Sequence, residues 1–172
     1  MTTTQKIYNQ EIKGRFIATK CLNQMLSSRD VKINPTAIKE SVDLKCNAYG
    51  QKGKRVNFNV EVKERYKNQD NLKKYPFAEL KVDKLERMRQ ATPKGTKLYY
   101  MVLLNGKEML LFNLDKIDFN EIKIFNWWTK KCQEDDNSEL IETPIYQIPY
   151  DKACARFNIE QYFEDYAIYK QM

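Results

Sequence analysis

Residues 41–65, SVDLKCNAYGQKGKRVNFNVEVKER, constrain the fold more than any other stretch of the chain. Apolar and polar side chains alternate on both sides of a basic turn holding Gly50 and Gly53, the pattern of a β-hairpin with half-buried strands. Centring the turn on Lys52 puts Val42, Leu44, Cys46 and Ala48 on one face with Val56, Phe58, Val60 and Val62. The other face carries Ser41, Asp43, Lys45 and Asn47 across from Asn57, Asn59, Glu61, Lys63 and Arg65. A slip of one residue would set apolar against polar, so pattern and turn select one register. In that register Asp43 faces Glu61. Like charges directly opposite on a sheet are destabilising, and a divalent cation held between them would remove the penalty.

The chain has 172 residues, enough for one domain with its own core. Its formal net charge of +7, with basic residues spread along the length, favours a polyanionic partner, nucleic acid before an anionic membrane. No apolar run is long enough to span a bilayer. The opening MTTTQKIYNQ lacks the charged-then-apolar order of a signal peptide, so a cytoplasmic location and no membrane partner are expected. Four cysteines (Cys21, Cys46, Cys132 and Cys154) are widely separated without a CxxC pair and read as free thiols. Histidine is absent. That removes histidine-dependent nucleophilic catalysis and histidine-ligated zinc, and leaves carboxylates, lysine, tyrosine or an oxygen-held metal ion to carry any chemistry.

Residues 4–28 show helical spacing through Tyr8, Ile12, Phe16, Leu22, Met25 and Leu26, with Glu11, Arg15 and Ala18 on a neighbouring stripe. Pro35 falls in the connection to the hairpin, and 37–40 reads as an extended approach. A polar loop or ragged helix is expected over 64–76 and a short strand over 77–82. A helix follows over 84–91, with Asp83 as its N-cap. Residues 96–104, TKLYYMVLL, form the strongest strand; Asn105-Gly106 is a hairpin turn and 107–114 the returning strand, both well buried. Beyond 115 the signal weakens to a loop over 133–138 and a strand over 140–149. Pro144 and Pro149 argue for an edge position there. A final helix capped by Asn158 carries Ile159, Tyr162, Phe163, Tyr166 and Tyr169.

Asp43 on the first hairpin strand, and Glu61-Val62-Lys63 on the second, follow a helix and precede another helix and a buried strand. With this arrangement the chain resembles the PD-(D/E)XK nuclease superfamily, the restriction-endonuclease-like fold, over about residues 4–114. The resemblance implies an α/β fold with a central mixed sheet flanked by helices, and makes 115–172 a C-terminal elaboration. It also implies a Mg²⁺- or Mn²⁺-dependent nuclease acting on DNA, in a family where many members of this size are homodimeric phage or mobile-element enzymes. Two carboxylates, Asp43 and Glu61, suit a hard cation that takes oxygen ligands and keeps several waters. Lys63 shares Glu61's face and is placed to orient or activate the attacking water. By the same resemblance the backbone carbonyl of Val62 adds a ligand and Glu11 is the first-helix acid, although no acid follows Gly14 at the family's spacing. Val42 stands where the motif's name has proline.

Plainer readings of the same residues remain open. A half-exposed hairpin always has a charged face, and surface ion pairs are worth under about 1 kcal/mol. Lys84 is either a phosphate contact or a solvated first-turn lysine. Lys52, Lys54 and Arg55 are either nucleic-acid contacts at the hairpin tip or a solvated turn. Trp127 and Trp128, followed by Thr129, Lys130 and Lys131, are either a base-stacking platform or a core or interface pair. A catalytically inactive nucleic-acid-binding or protein-interaction factor with the same fold is the alternative to the enzyme.

Overall fold

The structure, a computed structural model, describes residues 3–37, 40–50, 52–130 and 138–170. Its elements in chain order are α1 (Thr3–Met25), β1 (Lys32–Pro35), β2 (Leu44–Tyr49), β3 (Arg55–Arg65), α2 (Gln69–Lys74), β4 (Phe77–Lys81), α3 (Val82–Ala91), β5 (Lys97–Leu104), β6 (Glu108–Asn113), β7 (Ile124–Lys130), β8 (Leu140–Pro149), β9 (Ala155–Asn158) and α4 (Glu160–Tyr169). Six strands form a central mixed sheet in the order β1-β2-β3-β5-β6-β9, and three form a second sheet, β4-β8-β7. The fold is α/β, as expected. Among the described residues the only parallel pair in the central sheet is β3 with β5, and the crossover between them carries α2, β4 and α3.

The hairpin adopts the expected register, with Leu44 opposite Val60, Cys46 opposite Phe58 and Ala48 opposite Val56. β5 is buried on both faces because it lies inside the sheet with a layer on either side. Its Met101 and Leu103 join Leu44, Val60 and α1's Ile17, Ala18, Cys21 and Leu22. Its Leu98, Tyr100 and Val102 join Phe112, α3's Leu85 and Met88, and the second sheet's Ala78, Leu80 and Ile148. The central sheet is therefore covered by α1 and α4 on one side and by α3 with the small sheet on the other. The region beyond 115 helps build this core: Ile122, Ile148 and Ile159 are buried, and β9 extends the main sheet.

Asn105 and Gly106 turn β5 into β6 with φ of 54° and 68°, the left-handed pair that matches hairpin twist. Asn105 also ties this turn to the segment after β3: its Oδ1 accepts the Lys67 N–H at 2.6 Å and its Nδ2 donates to the Lys67 carbonyl at 2.8 Å. Asn105→Ala loses both bonds and places a less tolerant residue in the left-handed region. We expect a loss of about 2 kcal/mol in urea unfolding.

Several expectations are corrected. Pro35 belongs to β1, a strand antiparallel to β2, where a sheet edge tolerates a residue without an N–H. Val42 precedes β2 and joins α3 and the second sheet's core, not the hairpin's apolar face. α3 starts at Val82 with Lys81 as N-cap, so Asp83 lies in the first turn and pairs with Arg87 at 3.0 Å. β8 is the middle strand of its sheet. Its prolines fit because each sits where only one neighbour is paired: Pro144 opposite β7's Asn126, beyond β4's reach, and Pro149 opposite β4's Phe77, beyond β7's. The extended approach over 37–40 includes residues 38 and 39, and the loop over 133–138 includes 133–137. Both groups lie outside the described residues, as do Lys131 and Cys132.

Candidate active site

β3 outruns its hairpin partner. β2 pairs with it only through residues 55–60, while β5 flanks residues 58–65 on the other edge. Asp43 sits where β2 gives out. Its N–H donates to the Val60 carbonyl at 3.0 Å, and its own carbonyl accepts from the Thr36 N–H at 2.9 Å. Its side chain continues the ladder, Oδ2 accepting the Val62 N–H at 2.8 Å. A cavity of about 480 Å³ wraps this edge, lined by Glu11 and Arg15 of α1, Asp43, Glu61 and Lys63 of the hairpin, and Lys84 of α3. Val62 also lines it. Every residue that the sequence assigned to catalysis or metal is thus brought to one place, with Lys84 beside them.

The acids arrive compensated. Arg15, only 8% exposed, donates to Asp43 Oδ1 from Nε at 3.0 Å and from Nη2 at 2.8 Å, and its Nη1 donates to the Thr36 carbonyl. Lys84 Nζ lies 2.8 Å from Glu61 Oε1. The acid pair is therefore offset by protein cations and does not by itself require a metal. What calls for a ligand is the remainder: Glu61 Oε2 and Glu11 Oε2 are buried without a hydrogen-bond partner. An unpartnered buried carboxylate oxygen is costly.

Burial pushes the Glu61 carboxyl up to about 8, with the neighbouring Asp43 charge adding to it and Lys84 and Lys63 only partly opposing. Burial likewise lowers Lys63 below the usual lysine range, with Arg65 reinforcing that direction and Glu61 resisting it. No hydrogen bond or ion pair to the Lys63 ammonium occurs among the described residues. An amine moved toward its neutral form, beside a carboxylate with an open oxygen, suits proton transfer to or from a bound water.

The donor chemistry also fits a hard divalent cation. Glu61 Oε2 and Glu11 Oε2 are available oxygens, and Asp43 keeps one acceptor position on Oδ2 beyond its bond from Val62. Among the described residues no group of three or more His, Cys, Asp or Glu converges as a metal site. The fit is thus to an ion such as Mg²⁺, which takes one or two carboxylates and keeps its waters.

Glu61 gives stability a sign with pH. Its folded value lies above its unfolded one, so between about pH 5 and 8 the folded state holds the extra proton and stability falls as pH rises. Metal-free protein is expected to lose on the order of 3 kcal/mol over that window, a loss absent from Glu61→Gln. Differential scanning calorimetry at pH 5.5 and 8 checks this. Added Mg²⁺ is expected to restore the wild type at pH 8 and leave Glu61→Gln unmoved.

The structure separates other candidates from the cavity. Arg55 is spent on the hairpin itself: it ion-pairs with Asp30, donates to Asn47 Oδ1 at 2.6 Å and lies 4.5 Å over the Tyr49 ring. Lys52 and Lys54 line a different cavity. The hairpin carries these three about 20 Å from Asp43. Trp127 and Trp128 are exposed on β7, 42% and 68%, so the core reading is excluded for both. Arg15 was missed as a site residue. Its only signal was the stripe it shares with Glu11. No family model matches the chain, and no curated protein or solved structure matches it.

Proposed function

We propose that this chain is a metal-dependent nuclease that hydrolyses phosphodiester bonds in DNA, built like a PD-(D/E)XK enzyme. One observation carries the reading: Asp43, Glu61 and Lys63 line one cavity in which Glu61 and Glu11 each present a buried oxygen without a partner. Asp43 and Glu61 would hold the cation, with the Val62 carbonyl as a further ligand by family likeness and Glu11 facing the same cavity. A bound Mg²⁺ or Mn²⁺ supplies Lewis acidity toward the phosphoryl oxygen and acidifies its water. Lys63 accepts the proton of the water that attacks phosphorus, and the P–O bond to the leaving strand breaks as the new one forms. Arg15 and the Val62 N–H fix Asp43. Lys84, at the cavity wall and ion-paired with Glu61, would turn to a scissile phosphate when one enters. The net charge of +7 suits a polyanionic substrate.

The test is incubation of purified protein with linear, supercoiled, branched and single-stranded DNA, and with RNA, in Mg²⁺ or Mn²⁺. Cleavage of DNA that disappears in EDTA and in Glu61→Ala supports the reading. Intact substrates throughout would sink it. A second reading has its own observation: Arg15 and Lys84 already neutralise the two acids, as in a site that has retired from catalysis. A salt-dependent DNA shift without cleavage is the result that selects it.

A further inference from the structure

A second cavity, of about 550 Å³, lies beyond the C-terminal end of α1, toward the β2–β3 turn. Met25 and Leu26 form its wall where the helix stops. Phe58, Tyr99 and Leu111 form an apolar floor on the sheet, with the Phe58 ring edge-on to Tyr99 at 5.8 Å. Four cations surround it: Arg29, Lys52, Lys54 and Lys97. Among the described residues no acid lines this cavity, and none of the four makes an ion pair. Asp30, next in sequence to Arg29, is committed to Arg55. The contrast with the active cavity is complete, since there five acids (Glu11, Glu40, Asp43, Glu61, Glu64) meet five bases (Arg15, Lys63, Arg65, Lys84, Arg87).

We propose that this second cavity binds an amphipathic anion, with its apolar body on the Phe58–Tyr99–Leu111 floor and its carboxylate or phosphate among Arg29, Lys52, Lys54 and Lys97. The volume falls in the range that encloses one small molecule, and such sites pair apolar walls with a few placed polar groups. Unpaired like charges around a concave rim repel one another, and an anionic head placed among them lowers that repulsion. Phe58 and Leu111 are buried and Tyr99 half-buried, so the apolar surface left on the floor is small, and covering it with apolar atoms gains about 25 cal/mol per Å². An extended polyanion satisfies the rim but leaves the floor wet; a neutral apolar molecule does the reverse. Only an amphiphile answers both. The cavity shares no lining residue with the active one, so this inference stands or falls independently of cleavage.

Calorimetric titration with dodecanoate, dodecyl phosphate and dodecanol, each below its micellar or solubility limit, tests the proposal. Saturable one-to-one binding of both anions, at least about tenfold tighter than dodecanol, is expected. A preference between the two anions identifies the headgroup. Arg29→Glu with Lys97→Glu is expected to weaken the anions by at least about tenfold while leaving dodecanol unchanged. Equal binding of anion and alcohol, no saturable binding, or an unaffected double variant overturns the proposal. If circular dichroism shows that the double variant does not fold, the wild-type comparison of dodecanoate with dodecanol decides it alone.

Discussion

Replacing Lys63 with methionine is expected to lower phosphodiester cleavage about 10²- to 10⁴-fold while leaving folding and DNA affinity intact, the usual yield of one positioned proton-transfer group. The shape of the site explains the separation. Methionine fills nearly the same apolar stem, so no cavity opens. The ammonium has no hydrogen bond or ion pair among the described residues to lose, and burial works against its charge. Because the folded value lies below the unfolded one, the buried charge costs stability at neutral pH. Lys63→Met should therefore melt at or above the wild-type temperature. Single-turnover cleavage at saturating Mg²⁺, with a parallel melt and a binding titration, reads all three. A rate unchanged within twofold would remove Lys63 from the chemistry. A large fall in melting temperature would make it a structural residue instead.

The acid-and-lysine cluster could be read from the sequence because its placement depends on local rules. Period-two alternation and one turn set the β2–β3 register from Leu44–Val60 to Tyr49–Arg55 and put Glu61 and Lys63 on one face. Asp43 lies just past the end of that ladder, held near Glu61 by its N–H bond to the Val60 carbonyl and its side-chain bond from the Val62 N–H. The Asn105-Gly106 turn was legible for the same reason: two consecutive left-handed residues are a property of the tetrapeptide. What escaped depends on distant partners. Pro144 argued for an edge strand, yet β8 is central, because the rule concerns the single position opposite Asn126 and says nothing of the rest of the strand. Val42 continued the hairpin's alternation on paper. The chain leaves the strand before it and delivers it to the core under α3. The cations are the larger omission. Lys84 was placed near the substrate without a partner, and Arg15 was no more than a helix-stripe residue, since nothing local ties either to an acid far away in sequence.

Arg15→Leu is expected to cost about 3–5 kcal/mol in urea unfolding, the penalty for leaving one member of a buried ion pair alone. Both side chains are close to buried, 10% and 13% exposed, and Arg15 also satisfies the carbonyls of Thr36 and Ala37, so the connection into β2 loosens with it. Adding Asp43→Asn removes the stranded charge while keeping an acceptor for the Val62 N–H, and is expected to recover more than half of the loss. Magnesium then distinguishes the two readings of the pair. If Asp43 serves a cation, the carboxylate released by Arg15→Leu takes Mg²⁺ more readily, and millimolar Mg²⁺ stabilises Arg15→Leu more than it stabilises the wild type, with no such gain in the double variant. If the ion pair is only a brace, Mg²⁺ moves none of the three and Asp43→Asn alone repairs the damage. The outcome decides whether Arg15 holds a metal ligand in place or has replaced the metal.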